Sequence, residues 1–355
     1  MFNPVGIMMD QSGGKSFVNA KQVAELAGVS RSAVSRAFTP GASISEEKRR
    51  RIVMAAEQLG YHVNHLARGL MGVPSGIVCI VVSELDTPYQ SRLVRRLVEQ
   101  LQAEGRIAVV LAASVAASSL QAALTRALNY RAEATVVLSG SPSQSIVRTC
   151  VESGQRLLLI NRDDRMEGTY NLRTDNEMAA RTALHAFLRA GCRRLAVVTS
   201  QARTPSLVAR EEAFRAAADG EGVDVRVWAQ GPTGYASGLA GAKALLAGRD
   251  RPDAVFCVTD LLACGFMDGA RQSFGLRVPQ EICVIGFDDI DQAEWEAYRL
   301  TTFQPPLDEM VRQVVDLVVM PNGSLDVSRE SLLEPTFVWR SSVRPAHAEV
   351  VAPRT

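Results

Sequence analysis

Residues 19–38 read NAKQVAELAGVSRSAVSRAF, a pattern that few folds can accommodate. Val23, Leu26, Val29, Val34 and Phe38 recur at helical spacing on both sides of Gly28 and predict a miniature core shared by two short helices. Ala27 is small enough for close helix crossing, Gly28 tolerates a left-handed turn, and Val29 fills the angle between the helices. Asn19, Ser30 and Ser45 each stand where a side-chain oxygen caps a helix start, and Ile52, Ala56 and Leu59 mark one face of a third helix. Together these features predict a helix-turn-helix, whose second helix enters the major groove of DNA.

The first exposed side chains of that second helix are Arg31 and Ser32, which then face base edges, with Arg36 reaching a second base or a phosphate. Asn19, Ser30 and Ser35 suit phosphate contacts that fix register without reading sequence. Charge supports a polyanion partner at this end only. Residues 15–71 carry nine Lys or Arg and four Glu, a net +5, whereas residues 72–355 carry −3 within an overall charge of +1.

Behind the head, short Val/Ile/Leu-rich runs alternate with longer amphipathic segments, as in parallel sheets with crossover helices. Strands are expected at 76–82, 106–112, 134–139, 156–161, 194–199, 225–229, 253–258 and 282–287. So many strand–helix units in a chain of 355 residues fit two doubly wound lobes with a ligand cleft between them better than one sheet. The fold class is therefore α/β, with an N-terminal helix-turn-helix bundle on a two-lobed parallel-sheet body.

Other chemistries leave no trace. No apolar run reaches membrane-spanning length, residues 1–15 do not have the layout of an export signal, and a cytoplasmic protein is expected. The six cysteines include no CxxC pair and sit mostly in apolar stretches, so neither a disulfide nor a metal site is implied. His62 and His65 lack companion ligands. A phosphate-binding loop ending at Gly14, Lys15 and Ser16 would need glycine where Met9 stands. Without a dinucleotide turn, nucleophile elbow or metal cluster, no catalytic residue and no cofactor is expected.

Residues 23–38, followed by Ser45, Glu46 and Glu47 and by the stretch LGYHVNHLARGL at 59–70, closely resemble the head of the LacI-type family, which includes lactose and purine repressors. The resemblance continues through Thr87, Pro88 and Tyr89, Asn161 and Arg162, Asp175 and Asn176, residues 253–260, 275–279 and 284–289, and Leu300, Thr301 and Thr302. It implies a body like periplasmic sugar-binding proteins, with lobes discontinuous in sequence. The divisions expected are a mobile tail (1–17), the helix-turn-helix domain (18–62), a hinge helix and linker (63–75), a first lobe (76–173 and 304–320), a second lobe (174–303 and 321–345) and a tail (346–355).

The resemblance further implies backbone contacts from Tyr61, Asn64 and Arg68, and a hinge-helix leucine, Leu70, wedged into the minor groove. One protomer supplies half a site, so it implies a homodimer on a near-palindromic double-stranded operator. The expected activity is transcriptional regulation, by repression, under control of a small carbohydrate-derived effector. Carried over by position, the effector residues are Tyr89, Gln90, Ser139, Asn161, Arg162, Arg210, Thr259 and Asp288. The implied effector is a sugar, sugar acid or sugar phosphate, with Arg162 and Arg210 favouring an anionic one. The chain departs from the family pattern at Val63 (commonly Pro), Gly69, Cys192 (commonly His), Ala213 (commonly Gly) and Thr259 (commonly Asn). Thr233 stands where some sugar-responsive members carry an aromatic.

Overall fold

Asn19 starts helix α1 (Ala20–Ala27) with a capping box, its Oδ1 accepting from the backbone N–H of Lys21 and Gln22 while Gln22 Oε1 accepts from its own N–H. This is seen in a computed structural model that describes residues 18–39, 41–62, 74–114, 116–138, 140–162, 166–320 and 330–345. Gly28 ends α1 at φ 62°, ψ 44°, and Ser30 caps α2 (Arg31–Ala37) through Ala33 N–H. Helix α3 (Glu46–Leu59) follows Ser45, which adopts the cap backbone without making a side-chain cap bond.

Val23, Ala24, Ala27, Ala33, Val34, Ala37, Ile52, Ala55 and Ala56 form the core of this N-terminal unit, with Val29, Phe38 and Leu59 partly buried against it. Leu26 does not join it and is 48% exposed, contrary to expectation. The buried stripe of α1 is Val23, Ala24 and Ala27, whose small side chains let the helices approach closely, and Leu26 lies on its flank. Two α3 arginines are tied to the other helices: exposed Arg51 donates to the carbonyl of Ala27 and half-buried Arg49 to that of Ala37, at the C-terminal ends of α1 and α2.

The chain from Gly69 onward is a separate compact unit. Its first sheet has strands β1 (Ile77–Val82), β2 (Ile107–Ala112), β3 (Ala134–Val137), β4 (Arg156–Ile160) and β5 (Thr169–Thr174); the second has β6 (Leu195–Thr199), β7 (Val225–Ala229), β8 (Ala254–Cys257) and β9 (Cys283–Ile285). Next come β10 (Thr302–Gln304), β11 (Glu330–Leu333) and β12 (Thr336–Val338). The first sheet runs β11-β5-β4-β3-β1-β2 and the second β7-β6-β8-β9, all parallel; β10 and β12 form an antiparallel pair.

The crossover helices are α4 (Pro88–Ala103), α5 (Ala117–Asn129), α6 (Gln144–Glu152), α7 (Asn176–Arg189), α8 (Pro205–Gly220), α9 (Tyr235–Leu246) and α10 (Asp260–Asp268), with α11 (Asp291–Glu294) and α12 (Leu307–Val319) after them. Helix α12 packs Met310, Val311, Val314, Val315 and Val318 into the first lobe. Strand β11 also belongs there, paired with β5, which corrects the assignment of all of 321–345 to the second lobe. The strand order reverses at β1/β3 in one sheet and at β6/β8 in the other, and the carboxyl ends beside these reversals border the cleft.

Candidate nucleic-acid interface and ligand cleft

In the N-terminal unit Arg31, Ser32, Ser35 and Arg36 are all exposed, because the other face of α2 is spent on burying Ala33, Val34 and Ala37. Arg36 Nε donates to the Ser32 carbonyl at 3.3 Å, which lays its side chain back along the helix. Ser30 Oγ accepts from Ala33 N–H at 3.3 Å and lies 2.9 Å from Ser32 Oγ, so both hydroxyls sit at the helix N-terminus, where the orphan N–H groups and helix dipole favour an anion. Asn19 has a structural role as the cap of α1 and remains exposed. Tyr61 packs on Phe38 with ring centroids 5.8 Å apart, and burial raises its hydroxyl pKa. Asn64, Arg68 and Leu70 lie outside the described residues, as does Ser139 of the effector set.

In the body, the segments after β1, β3, β4, β6, β7, β8 and β9 enclose a cleft. Of the expected effector residues, Tyr89, Gln90, Asn161, Arg210, Thr259 and Asp288 line it. Arg162 does not. Asn161 at φ 55° turns the chain so that its own side chain faces the cleft, while Arg162 is buried beneath and donates to the Gly140 carbonyl at 2.7 Å.

Arg210, from α8, reaches across the floor of the second lobe. Its Nη1 donates to Val258 O at 2.8 Å and to Asp288 Oδ1 at 3.0 Å, and its guanidinium lies 3.6 Å from the Phe287 ring centroid. Burial raises Asp288 to about 6 despite Arg210, so at neutral pH it is mainly the carboxylate. Behind it, Asp260 caps no helix. It accepts from Thr302 Oγ1 at 2.5 Å and from Ile290 N–H at 3.0 Å, and burial, with Asp288 adding, raises it to about 7. Gly286 makes this approach possible, since a Cβ there would fall 2.1 Å from Asp260 Oδ1.

The first lobe adds Tyr89, raised to about 12 by burial and then by Asp288, so its hydroxyl keeps its proton as a donor. Asn161 Oδ1 is spent on Thr174, accepting from its N–H and Oγ1 at 3.0 Å each, which turns the Nδ2 donors to other partners. Gln90 Oε1 is buried with no hydrogen-bond partner among the described residues.

Two residues at the cleft, Glu84 and Arg92, were not foreseen. Glu84, after β1 at φ 57°, accepts a hydrogen bond from Thr233 of the other lobe, and Thr233 Oγ1 lies 2.9 Å from Ser200 Oγ. Burial raises Glu84, Thr233 lowers it, and Asp86 raises it further. Arg92 of α4 donates to the carbonyls of Asp288 and Asp289 at 2.8 and 3.0 Å, tying the first lobe to the strand end that carries the Arg210 partner. An acidic residue after a strand run is the only sequence signal for Glu84, and many loops share it.

Among the described residues the lining holds two carboxylates, Glu84 and Asp288, against one cation, Arg210, already paired; the other polar groups are amide acceptors together with hydroxyl and amide donors. Such a cleft matches a polyhydroxylated neutral molecule. Of the two arginines behind the expectation of a sugar acid or sugar phosphate, Arg162 lies outside the cleft lining and Arg210 lines it paired with Asp288. Among the described residues no helix is long and apolar enough to cross a membrane.

Comparison with known proteins agrees with this architecture. Residues 20–64 match the family described as bacterial regulatory proteins, lacI family, and residues 184–343 match the periplasmic binding protein-like domain. The HTH-type transcriptional regulator AscG of Escherichia coli K12 is 24% identical over 91% of this chain and 97% of its own length. The HTH-type transcriptional regulator GalR of the same organism is 27% identical over 91% and 95%. A crystal structure of the lac repressor dimer bound to operator and an anti-inducer superposes with a TM-score of 0.78 at 21% identity, covering 92% of this chain and 99% of that one.

Proposed function

The chain belongs to the lacI family of bacterial regulatory proteins, and from that premise we propose that it is a cytoplasmic transcriptional repressor, not an enzyme, working as a homodimer on a near-palindromic operator. The observation that carries the DNA half is the exposed row Arg31, Ser32 and Arg36 on α2, held at a fixed angle by the Gly28 turn. Arg31 and Ser32 read base edges and Arg36 a base or phosphate; Asn19, Ser30, Ser35 and Tyr61 set register on the backbone, with Asn64 and Arg68. Leu70 is the minor-groove wedge.

The effector is a neutral polyol of sugar size held between the lobes. Asp288 and Arg210 take its hydroxyls from the second lobe, and Tyr89, Gln90 and Asn161 from the first, with Thr259 at the mouth of α10. An effector that contacts both lobes favours whichever relative arrangement lets both contacts form, and through it changes operator affinity. Selection of bound duplexes from a random library, followed by titration of the selected duplex with and without neutral sugars, sugar acids and sugar phosphates, tests the proposal. A palindromic preference and a shift with neutral sugars are expected. Binding without sequence preference overturns the DNA half, and a shift only with anionic sugars overturns the effector half.

A further inference from the structure

Six cysteines are buried, and two of them meet at the floor of the second lobe, at the strand ends opposite the cleft. Cys192 lies in the loop between α7 and β6, and Cys283 opens β9. Both converge on one peptide group: Asp253 O accepts from Cys192 Sγ at 3.6 Å and from Cys283 N–H at 2.9 Å. The two thiols are neighbours, and Cys283 Sγ donates to the carbonyl of Pro279 at 3.7 Å. Arg344 covers the pair. Its Nη2 donates to Cys192 Sγ at 3.0 Å and its N–H to Cys283 Sγ at 3.5 Å, while Nη1 donates to the carbonyls of Pro279 and Gln280 at 2.8 and 3.0 Å. Arg344 is half-buried, and its guanidinium lies against the thiol pair.

We propose that Cys192 and Cys283 are a dithiol modification site for hydroperoxides, closing to a disulfide. The Cys283 sulfur attacks the distal oxygen of a hydroperoxide; the O–O bond breaks, and the alkoxide leaves as an alcohol, or as water from hydrogen peroxide, with the Cys283 proton. The Cys192 sulfur then attacks the resulting sulfenic acid. An S–S bond forms, the S–O bond breaks, and hydroxide leaves as water with the Cys192 proton. Two thiols lose two electrons, and the hydroperoxide gains them.

The local charges select this pair among the six. The neighbouring Cys192, with burial opposing, and then the N–H and charge of Arg344 hold Cys283 below the ordinary thiol range. The neighbouring Cys283, with burial, raises Cys192. Asp253 opposes ionisation of Cys283, but its carboxylate already accepts from the N–H groups of Arg193 and Arg194 at 3.0 and 2.9 Å and lies 3.7 Å from Arg194 Nε. Burial raises Cys79 to about 12 and Cys150 to about 11, and it also raises Cys257 and Cys264. The bridge would pin the loop before β6 to the start of β9, on either side of β8.

The full-length protein, exposed to hydrogen peroxide, quenched, denatured, alkylated and digested, tests the proposal by peptide mapping. A linked peptide joining Cys192 to Cys283 is expected, with the loss of two of the six alkylatable thiols. Its rate should rise with pH as the Cys283 thiolate fraction grows and fall in Arg344→Gln. In Cys192→Ser, dimedone should label Cys283. The proposal fails if both thiols remain fully alkylatable after exposure, or if the first oxidised residue is Cys79, Cys150, Cys257 or Cys264; the wild-type mapping decides this even if a variant does not fold.

Discussion

Arg210 Nη1 stands 3.0 Å from Asp288 Oδ1, with both side chains more than nine-tenths buried, one from α8 and the other from the end of β9. Neither charge has bulk water to fall back on, so each is tolerable only while the other is present. Arg210→Met should therefore lower unfolding free energy by about 3–5 kcal/mol, the usual cost of orphaning a buried partner. It should also abolish sugar-induced thermal stabilisation. Denaturant unfolding checks the first effect, and a loss under about 1 kcal/mol would mean that water reaches Asp288.

Asp260 gives a pH signature. Its pKa is about 7 in the folded protein against 3.8 ordinarily, so the folded state holds the proton more tightly. Stability from this group is complete below the unfolded value and is lost as pH rises through the folded one. Relative to Asp260→Asn, the wild type should lose up to about 1.4 kcal/mol per pH unit between roughly pH 4 and 7. Unfolding curves of both proteins across that window test it; parallel pH dependences would show that Asp260 is ionised throughout.

Gly28 sits at φ 62°, and a Cβ there would meet Arg51 Nη2 at 3.0 Å. Gly28→Ala should cost the head about 1–2 kcal/mol, and Ser30→Ala, which removes the α2 cap, about 1 kcal/mol. Hydrogen exchange of the α1 and α2 amides in the full chain reads both, and protection in the body should not move.

Arg31 is expected to discriminate one base pair in each half-site. Arg31→Ala should remove about 1–3 kcal/mol of preference at that position while leaving the others intact. A uniform drop over all sequences in a competition titration would assign Arg31 to phosphate instead.

The head was legible in the sequence because its determinants are local: caps, a glycine turn and helical spacing. Leu26 misled, since its spacing fits the core and its exposure depends on how closely α1 crosses its neighbours, and Ser45 holds the cap position without the side-chain bond expected of it. The eight apolar strands were legible from their local Val/Ile/Leu runs, although the edge strands β2 and β7 are largely exposed. Strand β5 was not, because Thr169, Asn171, Arg173 and Thr174 read as polar even though the strand lies buried between β4 and β11. Arg162 shows a further limit. Adjacent residues at a strand end look equivalent in sequence, and the left-handed backbone of Asn161 decides which of them meets the cleft.

The carbonyl contacts of Arg49 and Arg51 bear on how a nucleic acid would register this head. A polyanion releases counterions only for cations that come to its phosphates, with a slope of about −0.9 per contact in a double-logarithmic plot of affinity against salt. Two guanidiniums occupied with the carbonyls of Ala37 and Ala27 are held back from that exchange. The salt slope should thus fall short of what the basic residues of the head suggest. Arg49→Met or Arg51→Met should loosen the helices and leave that slope unchanged.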